Sequence, residues 1–155
     1  MDKRVVITGL GAITPIGNNV DETWKSIKER KCGIDEITLF NTENFKTKLA
    51  AEVKKYDSLE YFEAKQGKRL DRYSQFAIIA AREAVKSSNI SKENTDFNRV
   101  GIFVSSGIGG LTTIQEQCRV DFEKGNKRVS PMFIPMSIAN MASGNIAIEF
   151  GFKGE

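Results

Sequence analysis

The stretch Arg99–Gly110 reads Arg-Val-Gly-Ile-Phe-Val-Ser-Ser-Gly-Ile-Gly-Gly. Its apolar run, Val100 to Val104, carries β-branched and aromatic residues between polar neighbours, the pattern of a short buried strand. Gly107, Gly109 and Gly110 then let the backbone take positive φ or come close to another group. Leu111 begins a helical pattern at once. A buried strand, a glycine turn and a helix form the kind of edge at which α/β proteins place ligands. The layout recurs at Arg4–Gly17, where Val5–Thr8 runs into Gly9, Gly11 and Gly17. Both units put a helix after the strand, so the expectation is an α/β fold with a parallel central sheet. Two strands are too little sheet to cover the apolar helices that accompany them, so the binding site is expected to be incomplete in this chain.

Outward from these strands the helices are the clearest elements. Asn18 or Asn19 caps a helix that puts Val20, Trp24 and Ile27 on one face, expected to pack on the sheet, and that closes with Lys28, Arg30, Lys31 and Gly33. Ile34–Gln66 lacks sustained periodicity and reads as a surface excursion, with a short strand at Leu49–Val53 and a short helix from Ser58 through Ala64. A strong helix follows from Asp71 to Ser88. Its apolar residues, Tyr73, Phe76, Ala77, Ile78, Ile79, Ala80, Ala81 and Ala84, run most of the way round, so it is buried on several sides. Leu111, Ile114, Cys118 and Phe122 form one stripe of the next helix, which predicts Cys118 as a small core residue. Pro135 suits the first turn of a last helix over Met136–Phe150. Only Glu149 in it is charged, and Asn140, Ser143 and Asn145 need partners. Such a helix lies in a large core or across a subunit interface, which predicts a dimer or larger species.

At 155 residues, 40% hydrophobic and 28% charged, the chain has the length and composition of one globular domain. No apolar run is long enough to span a bilayer, and Met1–Arg4 leads into a strand without an apolar signal core. A cytoplasmic protein with no membrane partner is expected. The net charge of +3 is too small to argue for nucleic acid. The chain has no histidine, so Ser-His-Asp and Cys-His nucleophile pairs and histidine metal sites cannot form within it. The two cysteines, Cys32 and Cys118, have no metal-ligand spacing, and neither is expected to be a nucleophile. Cys32 falls at a helix C-terminus, where the dipole disfavours a thiolate. No catalytic residue and no metal ligand is therefore assigned. Gly9-Leu-Gly11-Ala-Ile-Thr14 resembles the start of a dinucleotide fingerprint, but it lacks the third glycine and the acidic residue after a second strand. Basic residues cluster at Lys65, Lys68, Arg69 and Arg72, and again at Arg119, Lys124, Lys127 and Arg128. These are either a solvated face or a docking surface for an acidic protein.

Several motifs share a common likeness. They are Val5-Val6-Ile7-Thr8-Gly9-Leu10-Gly11 with Thr14-Pro15-Ile16-Gly17, Arg69-Leu70-Asp71-Arg72-Tyr73, and Ser106-Gly107-Ile108-Gly109-Gly110. They continue with Arg128-Val129-Ser130-Pro131, Phe133-Ile134-Pro135, Asn140-Met141-Ala142-Ser143-Gly144 and Phe150-Gly151-Phe152-Lys153-Gly154. In this order the chain resembles the β-ketoacyl-acyl-carrier-protein synthases of the elongating, type II kind. The resemblance implies a thiolase-like fold, a duplicated αβαβα arrangement that works as a homodimer. Residues 1–155 would be the N-terminal portion of its first half. It implies a decarboxylating Claisen condensation without metal or redox cofactor, carried by a cysteine, two histidines and a lysine that lie beyond Glu155. By position, Ile108 would line the acyl pocket and Phe133 would reach the partner subunit's pocket. Lys65, Lys68, Arg69, Lys124, Lys127 and Arg128 would meet the acidic acyl carrier protein. Asn140 and Met141 would lie at the dimer interface. A catalytically silent, chain-length-factor type of subunit is the alternative within the resemblance.

Overall fold

The computed structural model describes residues 4–155. Met1, Asp2 and Lys3, part of the start in which no apolar leader is expected, lie outside the described residues. The elements are α1 (Val20–Lys28), β1 (Ile34–Glu36), β2 (Leu49–Ala51), α2 (Ala64–Gly67), α3 (Arg72–Ser88), α4 (Leu111–Lys124), α5 (Phe133–Ser137) and α6 (Met141–Phe150). Single 3-10 turns lie at Ser58–Glu60, Phe97–Arg99 and Asn126–Arg128. The chain divides into two compact units. The first runs through Asp57 and includes Arg82–Asn89; the second is Ser58–Ala81 with Ile90–Glu155.

In the first unit, α1 begins because Asn19 accepts the Glu22 N–H on its side-chain oxygen at 2.8 Å, and Asp21 and Glu22 complement the positive end of the helix. The expected apolar face is not the packed one. Trp24 and Ile27 are exposed, and the buried residue is Ser26, whose hydroxyl donates to the Ile16 carbonyl at 2.7 Å. Polar bonds to the Thr14–Gly17 turn set the rotation of α1. The Glu83 carboxylate accepts the N–H of Ala12 and that of Val20, both at 2.9 Å, so one side chain fixes the loop before α1 and the first turn of α1. Gly9 lies against the end of α3, where an added Cβ would sit 2.2 Å from the Ala84 carbonyl oxygen. Leu10 donates its N–H to the Ser87 hydroxyl at 3.0 Å and accepts from it at 3.1 Å. The first glycine of the partial dinucleotide pattern, Gly9, is therefore occupied in packing backbone on helix. β1, which the sequence did not suggest, pairs antiparallel with β2 from Ile34↔Ala51 to Glu36↔Leu49. β2 is shorter than the predicted Leu49–Val53, and most of this hairpin is exposed.

The parallel central sheet is absent among the described residues, whose one ladder is β1–β2. Val5–Thr8 and Val100–Val104 make no ladder, and Val5 and Phe103 are 92% and 90% exposed. A strand exists only through donors and acceptors on a neighbour, and here the apolar run meets none of the required register. What Val104 finds instead is Ser143, whose hydroxyl takes its N–H at 3.2 Å and donates to its carbonyl at 3.3 Å. Val100 is met by the last residues of the chain, with Gly154 N–H on its carbonyl at 3.0 Å. An added Cβ on Gly101 would lie 2.3 Å from the Glu155 carbonyl oxygen, so glycine is required by that approach.

The second unit is helical. Its buried apolar residues are Phe62, Ile78, Ile79, Ala142, Ile146 and Phe152. Gln75, buried on α3, donates to the carbonyls of Gly67 and Leu70 at 2.8 and 3.1 Å and so holds the turn between α2 and α3. The single helix expected over Met136–Phe150 is two, α5 and α6. Ile138 leaves helical geometry with ψ 135°, and the Tyr73 hydroxyl donates to its carbonyl, which satisfies an acceptor the helix has released. α6 stops at Gly151, whose φ of 75° is left-handed. Phe152 then folds back against Phe97, ring centroids 4.8 Å apart, and stacks on Phe150 at 5.3 Å. The stripe read on α4 does not form a core. Leu111, Cys118 and Phe122 are exposed, Phe122 at 92%, so Cys118 is not the core residue that the spacing suggested. The inward side carries Thr113, which bonds Asp71, and Gln117, which accepts the Ser130 N–H at 2.7 Å. Two polar anchors outweigh the apolar periodicity.

Replacing Glu83 with alanine frees the Ala12 and Val20 amides and should cost about 1–3 kcal/mol, read as a lower urea midpoint, while Lys86→Ala on the exposed side of α3 should change it by less than about 0.5 kcal/mol. The hairpin should be acid-sensitive. Lys54 Nζ donates to Asp35 at 2.8 Å and, with the Glu36 N–H, holds that carboxyl below the usual range; the Thr38 N–H does the same for Glu52. Groups with lowered folded values stabilise above their unfolded pKa and lose that contribution as pH falls through the folded value. Amide exchange of Ile34–Glu36, after correction for intrinsic rates, should therefore be slower at neutral pH than below about pH 4. Protection that is unchanged there would contradict this.

Candidate functional site

The second unit builds its most ordered polar site around Asp71. The residue precedes α3, and its carboxylate accepts the Tyr73 N–H at 3.2 Å, an N-cap bond. The other oxygen crosses to the start of α4, accepting the Thr113 N–H at 3.2 Å and the Thr113 hydroxyl at 2.5 Å. Asp71 and Thr113 are each 6% exposed. One negative charge thus lies at the positive ends of two helices. The sequence places the start of this helix at Asp71 but does not mark the residue as its cap; the bond to Thr113, which lies 42 residues along the chain, carries no local signal.

The glycine turn is docked onto this site. Gly109 N–H donates to the Ser106 hydroxyl at 2.9 Å, and Gly110 N–H donates to the Ser137 carbonyl at 2.9 Å. Gly109 has φ 86°, and an added Cβ would stand 2.3 Å from the Ser137 carbonyl oxygen. On Gly110 it would stand 2.6 Å from the Met136 carbonyl oxygen and 2.8 Å from the Asp71 carboxylate. The turn that carries Ile108 is therefore packed against α5, whose first residue is Phe133. Ile108 is 64% exposed and Phe133 is half-buried. Around Gly107 there is open space. Because Asp71 already supplies the anion at the head of α4, this glycine turn does not present the free amides of a phosphate cradle.

The basic residues separate into two stretches. Lys65 and Arg69 line a cavity of about 440 Å³ together with Leu70, Ile78, Met132, Asn145 and Ile148, and with Glu63 and Glu149. Lys68 is exposed next to this stretch but outside the lining. Lys124 ends α4 and Lys127 and Arg128 follow in the 3-10 turn, all exposed and outside that cavity. Among the described residues none of these six cations has a carboxylate partner. Asn140 is exposed at the start of α6, and Met141 is half-buried. In the first unit a second cavity, about 580 Å³, lies between the Thr14–Asn18 turn, α1 and residues 52–55, and no motif in the sequence pointed to it. Cys32 and Cys118 are free and exposed, and among the described residues no group of His, Cys, Asp or Glu is arranged for a metal ion.

Residues 2–155 match the family model described as "Beta-ketoacyl synthase, N-terminal domain". The chain is 43% identical over 153 residues to a 3-oxoacyl-[acyl-carrier-protein] synthase 2 of Staphylococcus aureus strain N315, covering 99% of this chain and 37% of that protein. It thus spans little more than a third of the length of that curated relative. Among solved structures it superposes on the ishigamide ketosynthase/chain length factor with TM-score 0.84 and 26% identity, over 97% of this chain and 38% of that one. It superposes as well on a type II polyketide ketosynthase solved with its acyl-carrier protein, with TM-score 0.80 and 25% identity, over 100% of this chain and 42% of that one. The α/β fold is thus the thiolase-like one, seen over 42% and 38% of those chains. The chain belongs to the β-ketoacyl synthase family, within whose N-terminal domain its residues 2–155 fall.

Proposed function

We propose that these residues are the N-terminal part of a 3-oxoacyl-[acyl-carrier-protein] synthase that elongates fatty acyl chains. One observation carries this reading: 43% identity to such a synthase holds over 99% of the chain, so the glycine turn, α5 and both basic stretches fall inside it. In the reaction a cysteine thiolate displaces carrier-protein thiol from the acyl thioester, giving an acyl-enzyme thioester. The malonyl thioester on a second carrier then loses carbon dioxide. The electron pair of the broken C–C bond becomes an enolate, stabilised by hydrogen bonds from two histidines. The enolate carbon attacks the acyl-enzyme carbonyl, the enzyme thiolate leaves, and a 3-oxoacyl chain two carbons longer stays on the carrier. No metal or redox cofactor takes part in these steps.

The chain has no histidine, Cys32 follows α1, and Cys118 sits within α4. We therefore place the nucleophile and the histidines on polypeptide outside these 155 residues. Within them, Ile108 lines the acyl pocket and Phe133 reaches across a homodimer, with Asn140 and Met141 at the interface. The exposed Leu111, Phe122, Ile134 and Ile148 support self-association. Lys65, Lys68, Arg69, Lys124, Lys127 and Arg128 dock the carrier protein, for which their unpaired charges are suited. Among the described residues no helix is long and apolar enough to cross a membrane, and we place the enzyme in the cytoplasm. The likeness to a ketosynthase/chain length factor keeps a second reading in view, a silent subunit that binds carrier and partner without reacting. The residue at the nucleophile position of the complete polypeptide separates the two: cysteine supports the synthase, any other residue the silent subunit.

The 155-residue chain, incubated with acyl and malonyl carrier proteins, should release no carbon dioxide and form no 3-oxoacyl product by mass spectrometry. It should still bind the carrier in a salt-sensitive way, and reversing charge at Lys65 and Arg69 should weaken that binding roughly tenfold at low salt. Light scattering should report a species heavier than a monomer.

A further inference from the structure

The glycine turn is docked at its Gly109–Gly110 end. Gly110 is tied to Ser137 at 2.9 Å and Gly109 to Ser106 at 2.9 Å, while nothing stands within 4 Å of a Cβ on Gly107. Ile108 lies between the two. The fixed end continues directly into α4, whose first turn is held by the buried Asp71 carboxylate through both the N–H and the hydroxyl of Thr113. A Cβ on Gly110 would lie 2.8 Å from the same carboxylate, so the carboxylate also sets how closely the turn approaches α3. A hydrogen bond from a neutral hydroxyl to a buried carboxylate is among the stronger ones, and losing it leaves a charge without one of its donors.

We propose that Asp71 is a positioning residue for acyl-chain selectivity, holding Thr113 so that the glycine turn delivers Ile108 at a set depth. This rests on the reading of Ile108 as an acyl-pocket residue and goes beyond it. Asp71 acts through α4 and the turn, so the acyl chains that reach as far as Ile108 are affected most. Thr113→Val keeps the shape of the side chain and removes the hydroxyl, and Thr113→Ser restores the hydroxyl.

The test measures kcat and KM of the complete condensing enzyme for medium-chain and long-chain acyl carriers, with Ile108→Ala as a control. Thr113→Val should change the long-to-medium ratio of kcat/KM by roughly tenfold, mainly through KM for the acyl carrier, with KM for the malonyl carrier unchanged. Thr113→Ser should return the ratio to within about twofold. On the 155-residue chain itself, Thr113→Val should speed amide exchange at Gly109 and Gly110 at least about tenfold, without a like change at Ile146 in α6. A shifted ratio with Ile108→Ala and an unshifted one with Thr113→Val overturns the proposal alone. An unshifted ratio with both overturns the pocket reading and the proposal with it. Faster exchange throughout the second unit also overturns it, because Thr113 would then be a general stability contact.

Discussion

A single carboxylate serving two helix ends organises the second unit. Asp71 is buried, and a buried carboxylate persists only when donors replace the water it has lost. Here the donors are the amides of the first turns of α3 and α4 and the Thr113 hydroxyl. The helix dipoles favour the charge, and the charge in turn completes both helix starts. Because the two helices share one acceptor, neither start can move without loss to the other. The glycine turn, α5 and the break at Ile138 all lie next to this point. Tyr73, two residues past Asp71, holds that break through its hydroxyl.

Glu83 does comparable work in the first unit from near the other end of α3. It takes the Ala12 and Val20 amides, while Ser87 takes and returns a bond with Leu10. The irregular residues 9–19 have no ladder of their own to join beyond the Thr14–Gly17 bridge, so side chains of a helix stand in for a strand. Gly9 makes the contact possible, since no side chain fits in the 2.2 Å gap at Ala84. Glycine-rich turns of this kind suggest ligands when read as sequence. Two of the turn glycines here, Gly9 and Gly110, are required by backbone approaching backbone.

The exposed apolar residues belong to the same picture. Val5, Ile7 and Phe103 are strand-forming residues without a ladder, and Leu111, Phe122 and Ile148 lie on helix faces without cover. Leaving so many large apolar side chains in water forgoes about 1.5–3 kcal/mol for each that burial would return. Where such residues form a patch, the exposed apolar surface marks a place where something binds. The share of the relatives that the chain spans, 37%, agrees with surfaces completed by more polypeptide.

What the sequence determined by itself was local. The extent of α3, the existence of α1, α4 and α6, Pro135 in the first turn of a helix and Gly151 at the end of α6 follow from capping, periodicity and backbone conformation within a few residues. The ordered motifs also placed the chain in its family. What only the tertiary structure decided was which faces meet. Cys118 and Trp24 sit on apolar stripes that the packing leaves outside, because Thr113, Gln117 and Ser26 make polar bonds that rotate their helices the other way. The bond from Asp71 to Thr113, the cap that Glu83 lends to α1 and the unpaired state of Val100–Val104 join or separate residues far apart in the chain. Such pairings depend on three-dimensional register, which neither spacing nor composition encodes.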